Sequence, residues 1–239
     1  MTPYLAEFIG TAILLFVGNG TNCNMLLSKT KGHGVGFLGI NVGWGLAVFL
    51  AVFCVGRFSG AHLNPAVTVG LAFGGHFDWA QVLPYMAFQF LGAAFGTTLA
   101  SIFYWQHYGP TEDTNLKLAT FCTSPAIRCP RHNLVSEILG TFVLVFAVFN
   151  MVDNPSDGLG ALDALPVGLT VLVIGVALGG TTGYAINPAR DLGPRVMHAL
   201  LPLPGGKRDS DWSYAWIPVV GGLAGGVLAG ALWALLVRG

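Results

Sequence analysis

Two short stretches hold the side chains best placed to do chemistry, Asn64-Pro65-Ala66 and Asn187-Pro188-Ala189, and both lie in apolar surroundings. Asn is a favoured helix N-cap, and Pro is tolerated at the first helical position because its missing N–H would have no partner there. Each triplet therefore predicts the start of a short helix. Such an end presents unpaired N–H groups and a partial positive charge, which suit oxygen-bearing ligands and repel cations.

The two triplets are also preceded by similar residues, four in each half of the chain. They read Gly60-Ala61-His62-Leu63 and Gly183-Tyr184-Ala185-Ile186. We expect extended backbone in both, with carbonyl groups facing a cavity, because irregular backbone at membrane depth is tolerated only where it lines a cavity or is buried in protein. Two matching interruptions in the two halves of a membrane chain predict a site at the interface between the halves.

The composition is that of a membrane protein. Hydrophobic residues make up 54% of the chain and charged residues 9%, with zero net charge, whereas a soluble domain carries about 25% charged residues. Zero net charge gives no indication of nucleic-acid binding. We find no nucleophile–base pair and no metal-ligand spacing, so we expect neither an enzyme nor a bound metal or cofactor.

Six hydrophobic segments surround the two triplets, and a spanning helix needs about 20 residues. Residues 6–11, Ala-Glu-Phe-Ile-Gly-Thr, align with residues 136–141, Ser-Glu-Ile-Leu-Gly-Thr, which indicates a repeat. Three spans per half make the second half inverted, so the two short helices should meet near the midplane. We predict one domain over residues 1–239, with repeats at about 1–110 and 131–239. The segments are 4–26, 37–56, 80–105, 133–152, 162–180 and 214–237.

Three charged residues stand close to the repeat or the triplets. Acids within membrane segments, here Glu7 and Glu137, are rare and mark a function or a partner. One hypothesis is a proton relay; the other is that each carboxylate accepts hydrogen bonds from the irregular backbone, and their equivalent positions favour the second. Arg190 is always charged and rich in N–H donors, and we expect it at a constriction of the pore.

The two Asn-Pro-Ala boxes, the second continuing into Arg190, resemble the aquaporin (major intrinsic protein) family, and Asp191 resembles its glycerol-conducting branch. The resemblance extends from Glu7 to the last hydrophobic segment. It implies an all-α membrane protein with six transmembrane helices and two re-entrant half-helices in an inverted repeat. It also implies a homotetramer in the cell membrane with both termini cytoplasmic. The implied activity is passive conduction of glycerol, other small uncharged solutes and water, with ions and protons excluded.

By motif spacing, the family's selectivity filter falls on Trp44, Gly175, Tyr184 and Arg190. Gly175 would leave one side of the constriction open, and Trp44 and Tyr184 would form an aromatic corner for a carbon chain. The branch more usually has Phe at the position of Tyr184, which leaves the preferred solute open. The resemblance also implies that Glu7, Glu137 and Asp191 support the loops around the half-helices.

Several alternatives stay open. The channel could prefer urea or a protonated short carboxylic acid, and a secondary active transporter also uses inverted repeats and broken helices. A structural junction protein with a nearly closed pore is a third class. His62 would permit a pH gate, and Cys122 and Cys129 share one connection and could form a disulfide if that connection is extracellular. The connections that the family places outside contain more basic residues than those it places inside, which is the reverse of the positive-inside rule.

Overall fold

A computed structural model describes residues 1–153 and 162–238 of the protein, and every regular element in those ranges is a helix. The helices in chain order are α1 (Pro3–Leu26), α2 (Phe37–Ser59), α3 (Pro65–Phe73), α4 (Trp79–Phe103), α5 (Trp105–Tyr108), α6 (Thr114–Ala119), α7 (Pro130–Asp153), α8 (Leu165–Leu178), α9 (Pro188–Leu200) and α10 (Trp212–Arg238).

Five of these helices, namely α1, α2, α4, α7 and α10, are long and apolar enough to cross a membrane. The fifth predicted segment, 162–180, is helical only over Leu165–Leu178, which makes α8 shorter than a usual span. Pro166 lies in its first turn and Gly179 ends it, which fits the preference of Pro for helix starts. Residues 154–161, which precede this segment, lie outside the described residues.

The packing of the helices follows the repeat. α1 packs on α4 in the first half, α7 packs on α10 in the second, and α2 meets α8 across the halves. Each short helix packs mainly on a long helix of the other half, α3 on α10 and α9 on α4. The two halves are therefore interlocked through the elements that begin at the Asn-Pro-Ala boxes.

Small residues allow this close packing. A Cβ added to Gly96 of α4 would overlap the carbonyl oxygen of Ala12 in α1, and one added to Gly226 of α10 would overlap the carbonyl oxygen of Ala66 in α3. Small residues at such positions let membrane helices approach backbone to backbone. Large apolar side chains remain exposed for lipid, among them Leu83, Val173 and Leu235.

The connection between α6 and α7 contains the two cysteines considered for a disulfide. Both are free thiols: Cys122 is buried, and the Cys129 sulfur lies 3.1 Å from His132 Nδ1. The structure therefore contains no bridge between these two residues.

We predict that Gly96→Ala destabilises the folded protein by about 1–3 kcal/mol, the usual cost of overpacking, because the added methyl group forces α1 and α4 apart. Gly56→Ala is the matched control, since a Cβ there would meet only Val52 Cγ1 at 3.8 Å. Thermal unfolding in detergent measures both, and equal melting temperatures for the two variants would contradict the proposed role of Gly96.

Candidate functional site

The two Asn residues cap the half-helices. Asn64 Oδ1 accepts a hydrogen bond from the backbone N–H of Ala66 at 2.8 Å, and Asn187 Oδ1 accepts from Ala189 and Arg190 at 3.0 and 3.1 Å. Pro follows each cap as the first helical residue. The N-termini of α3 and α9 therefore form where the two triplets predict them.

The same two side chains also join the half-helices to each other. Asn64 Nδ2 donates to the carbonyl oxygen of Ile186 at 2.8 Å, and Asn187 Nδ2 donates to the carbonyl oxygen of Leu63 at 2.8 Å. One N–H of each amide is therefore bound to the loop of the opposite half. An amide has two N–H donors, so each Asn retains one for a ligand.

The sequence predicted extended backbone in the two lead-in segments, residues 60–63 and 183–186. The structure differs, because neither segment is extended throughout. Alternate residues have positive φ: Ala61 (47°) and Leu63 (51°) in the first, Tyr184 (40°) and Ile186 (44°) in the second. Gly60 and Gly183 precede them at 79° and 80°, a conformation that favours glycine. Non-glycine residues in this region cost about 1–3 kcal/mol each and persist only where their surroundings hold them.

Two buried carboxylates hold these strained segments. Glu7 Oε1 accepts from the backbone N–H of His62 at 3.0 Å, and Glu7 Oε2 accepts from that of Leu63 at 2.7 Å. Glu137 accepts from the backbone N–H groups of Ala185 and Ile186 at 3.1 and 3.0 Å. This geometry is that of a brace, and neither carboxylate is among the residues that line the cavity described below.

A cavity of about 450 Å³ runs past both half-helix N-termini. Seven of the eight lead-in residues line it, Gly183 being the exception, together with both Asn side chains. Trp44, Tyr184 and Arg190 form part of the wall, and apolar side chains complete it, among them Leu14, Val48, Val67, Leu71, Leu144, Val148, Val167 and Val171.

Arg190 and Trp44 form one contact of the predicted filter. The guanidinium carbon of Arg190 lies 4.1 Å from the centre of the Trp44 ring, and Arg190 Nη1 donates to the carbonyl oxygen of Phe121 at 3.4 Å. Trp44 Nε1 donates to Asn22 Oδ1 at 2.9 Å, which fixes the ring. An aromatic face and a cationic donor thus meet at one level of the cavity.

Gly175 lies against Tyr184. It is not among the lining residues; the ring of Tyr184 lies against it, 2.8 Å from the position that a Cβ of residue 175 would occupy. The space that Gly175 leaves is therefore filled by Tyr184. Tyr184 also packs edge-on to Phe37, with ring centres 6.3 Å apart, and both Tyr184 and Trp44 line the cavity.

Asp191 does not pair with its neighbour Arg190. Its Oδ2 accepts from the backbone N–H and the hydroxyl of Thr123 at 2.8 and 2.6 Å, and its Oδ1 accepts from Arg195 Nε and Nη2 at 2.9 and 2.8 Å. Asp191 and Arg195 are fully buried. Sequence reasoning missed this ion pair, although the four-residue spacing on α9 was a usable signal.

His62 lines the cavity, and its hydrogen bonds define its tautomer. Thr68 Oγ1 donates its single proton to the carbonyl oxygen of Asn64 at 3.1 Å and accepts from Gln89 Nε2 at 2.9 Å. His62 Nδ1 lies 3.1 Å from the same hydroxyl oxygen and must then donate. The other ring nitrogen, Nε2, is left as an acceptor.

Several known proteins resemble this chain over nearly its whole length. The sequence profile of the family described as Major intrinsic protein matches residues 1–233. A probable glycerol uptake facilitator protein of Thermotoga maritima is 52% identical, with 98% of each chain covered, and a glycerol uptake facilitator protein of Streptococcus pneumoniae is 50% identical, with 98% of this chain and 99% of the relative covered. The X-ray structure of the aquaglyceroporin from Plasmodium falciparum superposes with a TM-score of 0.85 at 31% identity, covering 98% and 95% of the two chains.

We predict that Glu137→Gln destabilises the fold by about 1.5–3 kcal/mol, the usual contribution of a hydrogen bond to a charged group. The amide would turn an N–H₂ toward the N–H of Ala185 or Ile186 and leave the strained segment with one acceptor fewer. Glu112→Gln, at an exposed position, is the control and should melt like the wild type. If Glu137→Gln melts at the same temperature as the control, Glu137 does not stabilise the lead-in segment as proposed.

Proposed function

Because this chain belongs to the major intrinsic protein family, we propose that it is a passive membrane channel for glycerol and other small uncharged solutes, with water. The observation that carries the proposal is the cavity between the two half-helices, which places Asn64, Asn187 and Arg190 as donors on a mainly apolar wall. The glycerol uptake facilitators among its relatives support glycerol as the main solute.

The wall suits a polyol because it offers two kinds of surface. Solute hydroxyl oxygens can accept from the free N–H of each Asn and from Arg190, while hydroxyl protons can be donated to His62 Nε2. The carbon chain can lie against Trp44 and the aliphatic side chains of the wall. A small neutral solute thus replaces most of its water contacts without presenting a charge to an apolar surface.

Exclusion of ions and protons is part of the proposal. Two helix N-termini face each other, so their partial positive charges add at the level of Asn64 and Asn187. Half-helix dipoles of this kind are a known barrier to protons and cations in aquaporin-type pores. Arg190 adds a full charge nearby. Glu7 and Glu137, which could offset this potential, are engaged with backbone N–H groups and do not line the cavity.

The same placement argues against a secondary active transporter. Coupling to a proton normally uses a titratable group in the solute path. Both membrane acids serve as acceptors for the lead-in segments instead, and the titratable side chains that do line the cavity include His62, His76 and Asp163. We propose a non-enzymatic homotetramer in the plasma membrane, as in the family.

Urea or a protonated short carboxylic acid is the alternative solute class, since either could use the same donors.

We also propose that both termini are cytoplasmic. The basic residues in the connections that this orientation places outside run against the positive-inside rule. Several of these basic side chains donate hydrogen bonds to backbone carbonyl groups in the structure. Lys117 is fully buried and donates to the carbonyl oxygens of Pro204 and Gly206 at 2.9 and 2.8 Å. Lys207 caps α9 through the carbonyls of Ala199 and Leu201, both at 2.7 Å. These two lysines stabilise the connections in which they lie. Their presence is therefore explained by local structure, and we do not count them when the positive-inside rule is applied.

The direct test is solute flux in proteoliposomes. Stopped-flow light scattering should show glycerol entry well above that of empty vesicles, linear in concentration, without counterflow and independent of a pH gradient. A panel of glycerol, urea and a protonated short acid ranks the solutes. Saturable flux driven by a proton gradient would indicate a transporter, and absence of any flux would indicate a structural protein.

We predict that Asn187→Asp admits cations, because a fixed negative charge would offset the positive potential of the half-helices. Planar-bilayer currents measure this, with Asn115→Asp as the control at an exposed position of α6. A folded Asn187→Asp channel that conducts glycerol but carries no current would assign the barrier to Arg190 instead.

The orientation of the chain in the membrane can be tested with a single cysteine. It replaces Glu112, between α5 and α6, in a variant that lacks the native cysteines. Glu112 is exposed, whereas Lys117 in the same connection is buried. We expect a membrane-impermeant maleimide to label Glu112→Cys in intact cells. Labelling only after the cells are opened would reverse the assignment.

A further inference from the structure

Asn22 of α1 joins two parts of the filter, although it is not among the residues that line the cavity. Its Oδ1 accepts a hydrogen bond from Trp44 Nε1 at 2.9 Å, and its Nδ2 donates to the carbonyl oxygen of Ala119 at 2.8 Å. Asn22 is 5% exposed and Trp44 is 4% exposed. An indole N–H can only donate and a backbone carbonyl can only accept, so these two partners also fix which end of the amide faces which group.

The bond to Ala119 connects Asn22 to Arg190 by a second route. Ala119 ends α6, and Phe121 follows it by two residues. The carbonyl oxygen of Phe121 accepts from Arg190 Nη1 at 3.4 Å, and the guanidinium carbon of Arg190 lies 4.1 Å from the centre of the Trp44 ring. Asn22 therefore holds the ring that faces Arg190 and also the connection whose carbonyl binds Arg190.

α1 also provides the surface on which the Trp44 ring lies. A Cβ added to Gly18, one turn before Asn22, would be 2.6 Å from Cζ3 of Trp44, so the ring packs against bare backbone there. The ring is thus placed by one close packing contact and one hydrogen bond. Because Asn22 uses the single N–H of the indole, Trp44 offers the solute only its carbon surface.

We infer that Asn22 is a positioning residue of the filter, which holds the Trp44 ring and the α6–α7 connection in register and thereby places Arg190 beside the ring. Asn22 acts on the solute through these groups and does not touch it. The inference rests on the proposed channel function and names the group that matches the aromatic wall to the cationic donor. A polyol needs both surfaces at once, whereas water has no carbon chain and needs only hydrogen-bond partners.

The test is the ratio of glycerol to water permeability, measured in the same vesicles. Asn22→Leu keeps a similar side-chain volume and removes both hydrogen bonds. It should lower the ratio by about three- to tenfold, the equivalent of one net hydrogen bond, because the released ring no longer presents its face beside Arg190. A purely structural defect would reduce the amount of folded protein and lower both permeabilities together, which leaves the ratio unchanged.

A Trp44→Phe background shows whether the effect passes through the indole. Phe keeps an aromatic ring but has no N–H, so the bond from residue 44 to Asn22 is already absent. In this background, Asn22→Leu removes only the bond to Ala119 and should change the ratio by less than about twofold, since replacing both partners of a hydrogen bond is nearly neutral.

Asn19→Leu is the matched control. Asn19 is also fully buried in α1, and its Nδ2 donates to Thr97 Oγ1 of α4 at 3.0 Å. Its replacement should leave the ratio of glycerol to water permeability at the wild-type value. Asn22→Ala carries the same test if Asn22→Leu does not fold.

An unchanged ratio in Asn22→Leu would overturn the inference, as would equal changes in the two backgrounds. A wild-type protein that passes water but no glycerol would refute the proposed function instead, and the role of Asn22 is then tested without solute flux.

Ultraviolet resonance Raman spectra report whether an indole N–H is hydrogen-bonded. The difference between a protein and its Trp44→Phe variant isolates Trp44 among the six tryptophans. The Trp44 N–H should be hydrogen-bonded in the wild-type protein and free in Asn22→Leu. The same signal in both proteins would show that Asn22 does not hold the ring.

Discussion

The reciprocal hydrogen bonds of Asn64 and Asn187 are the constraint on which the rest of the structure depends. Each side chain caps its own half-helix with its oxygen and binds the opposite lead-in segment with its nitrogen. Neither half-helix can therefore move along the membrane normal without breaking a bond to the other. The arrangement also leaves each amide one N–H, whose direction is fixed by the two bonds already made.

The surrounding helices preserve this junction. Glu7 and Glu137 hold backbone that would otherwise relax from positive φ, and Gly96 and Gly226 let long helices approach the elements that support it. Because α3 packs on α10 and α9 packs on α4, each half-helix is held by the opposite half of the chain. The two Asn donors are held in place because the same side chains cap the half-helices and bind the opposite segments.

Much of this follows from the sequence, because Asn-Pro pairs fix helix starts and hydrophobic length fixes spans. The helix starts and the membrane spans could be predicted on these grounds, and the equivalent positions of Glu7 and Glu137 in the two repeats favoured a role as acceptors for the irregular backbone. The second bond of each Asn amide could not, since it depends on how two distant loops meet. The same holds for the contacts of Tyr184, whose ring lies against Gly175 and packs edge-on to Phe37. Side-chain packing between helices is not encoded in motif spacing alone.

The central claim is that the paired half-helix ends pass neutral hydroxyl compounds while excluding protons. Its most direct measurement is paired flux in the same vesicles, with glycerol entry followed by light scattering and proton entry by a trapped pH-sensitive dye. The account predicts rapid glycerol entry together with a proton leak no greater than that of empty vesicles. Proton entry that rises with the amount of reconstituted protein would contradict it.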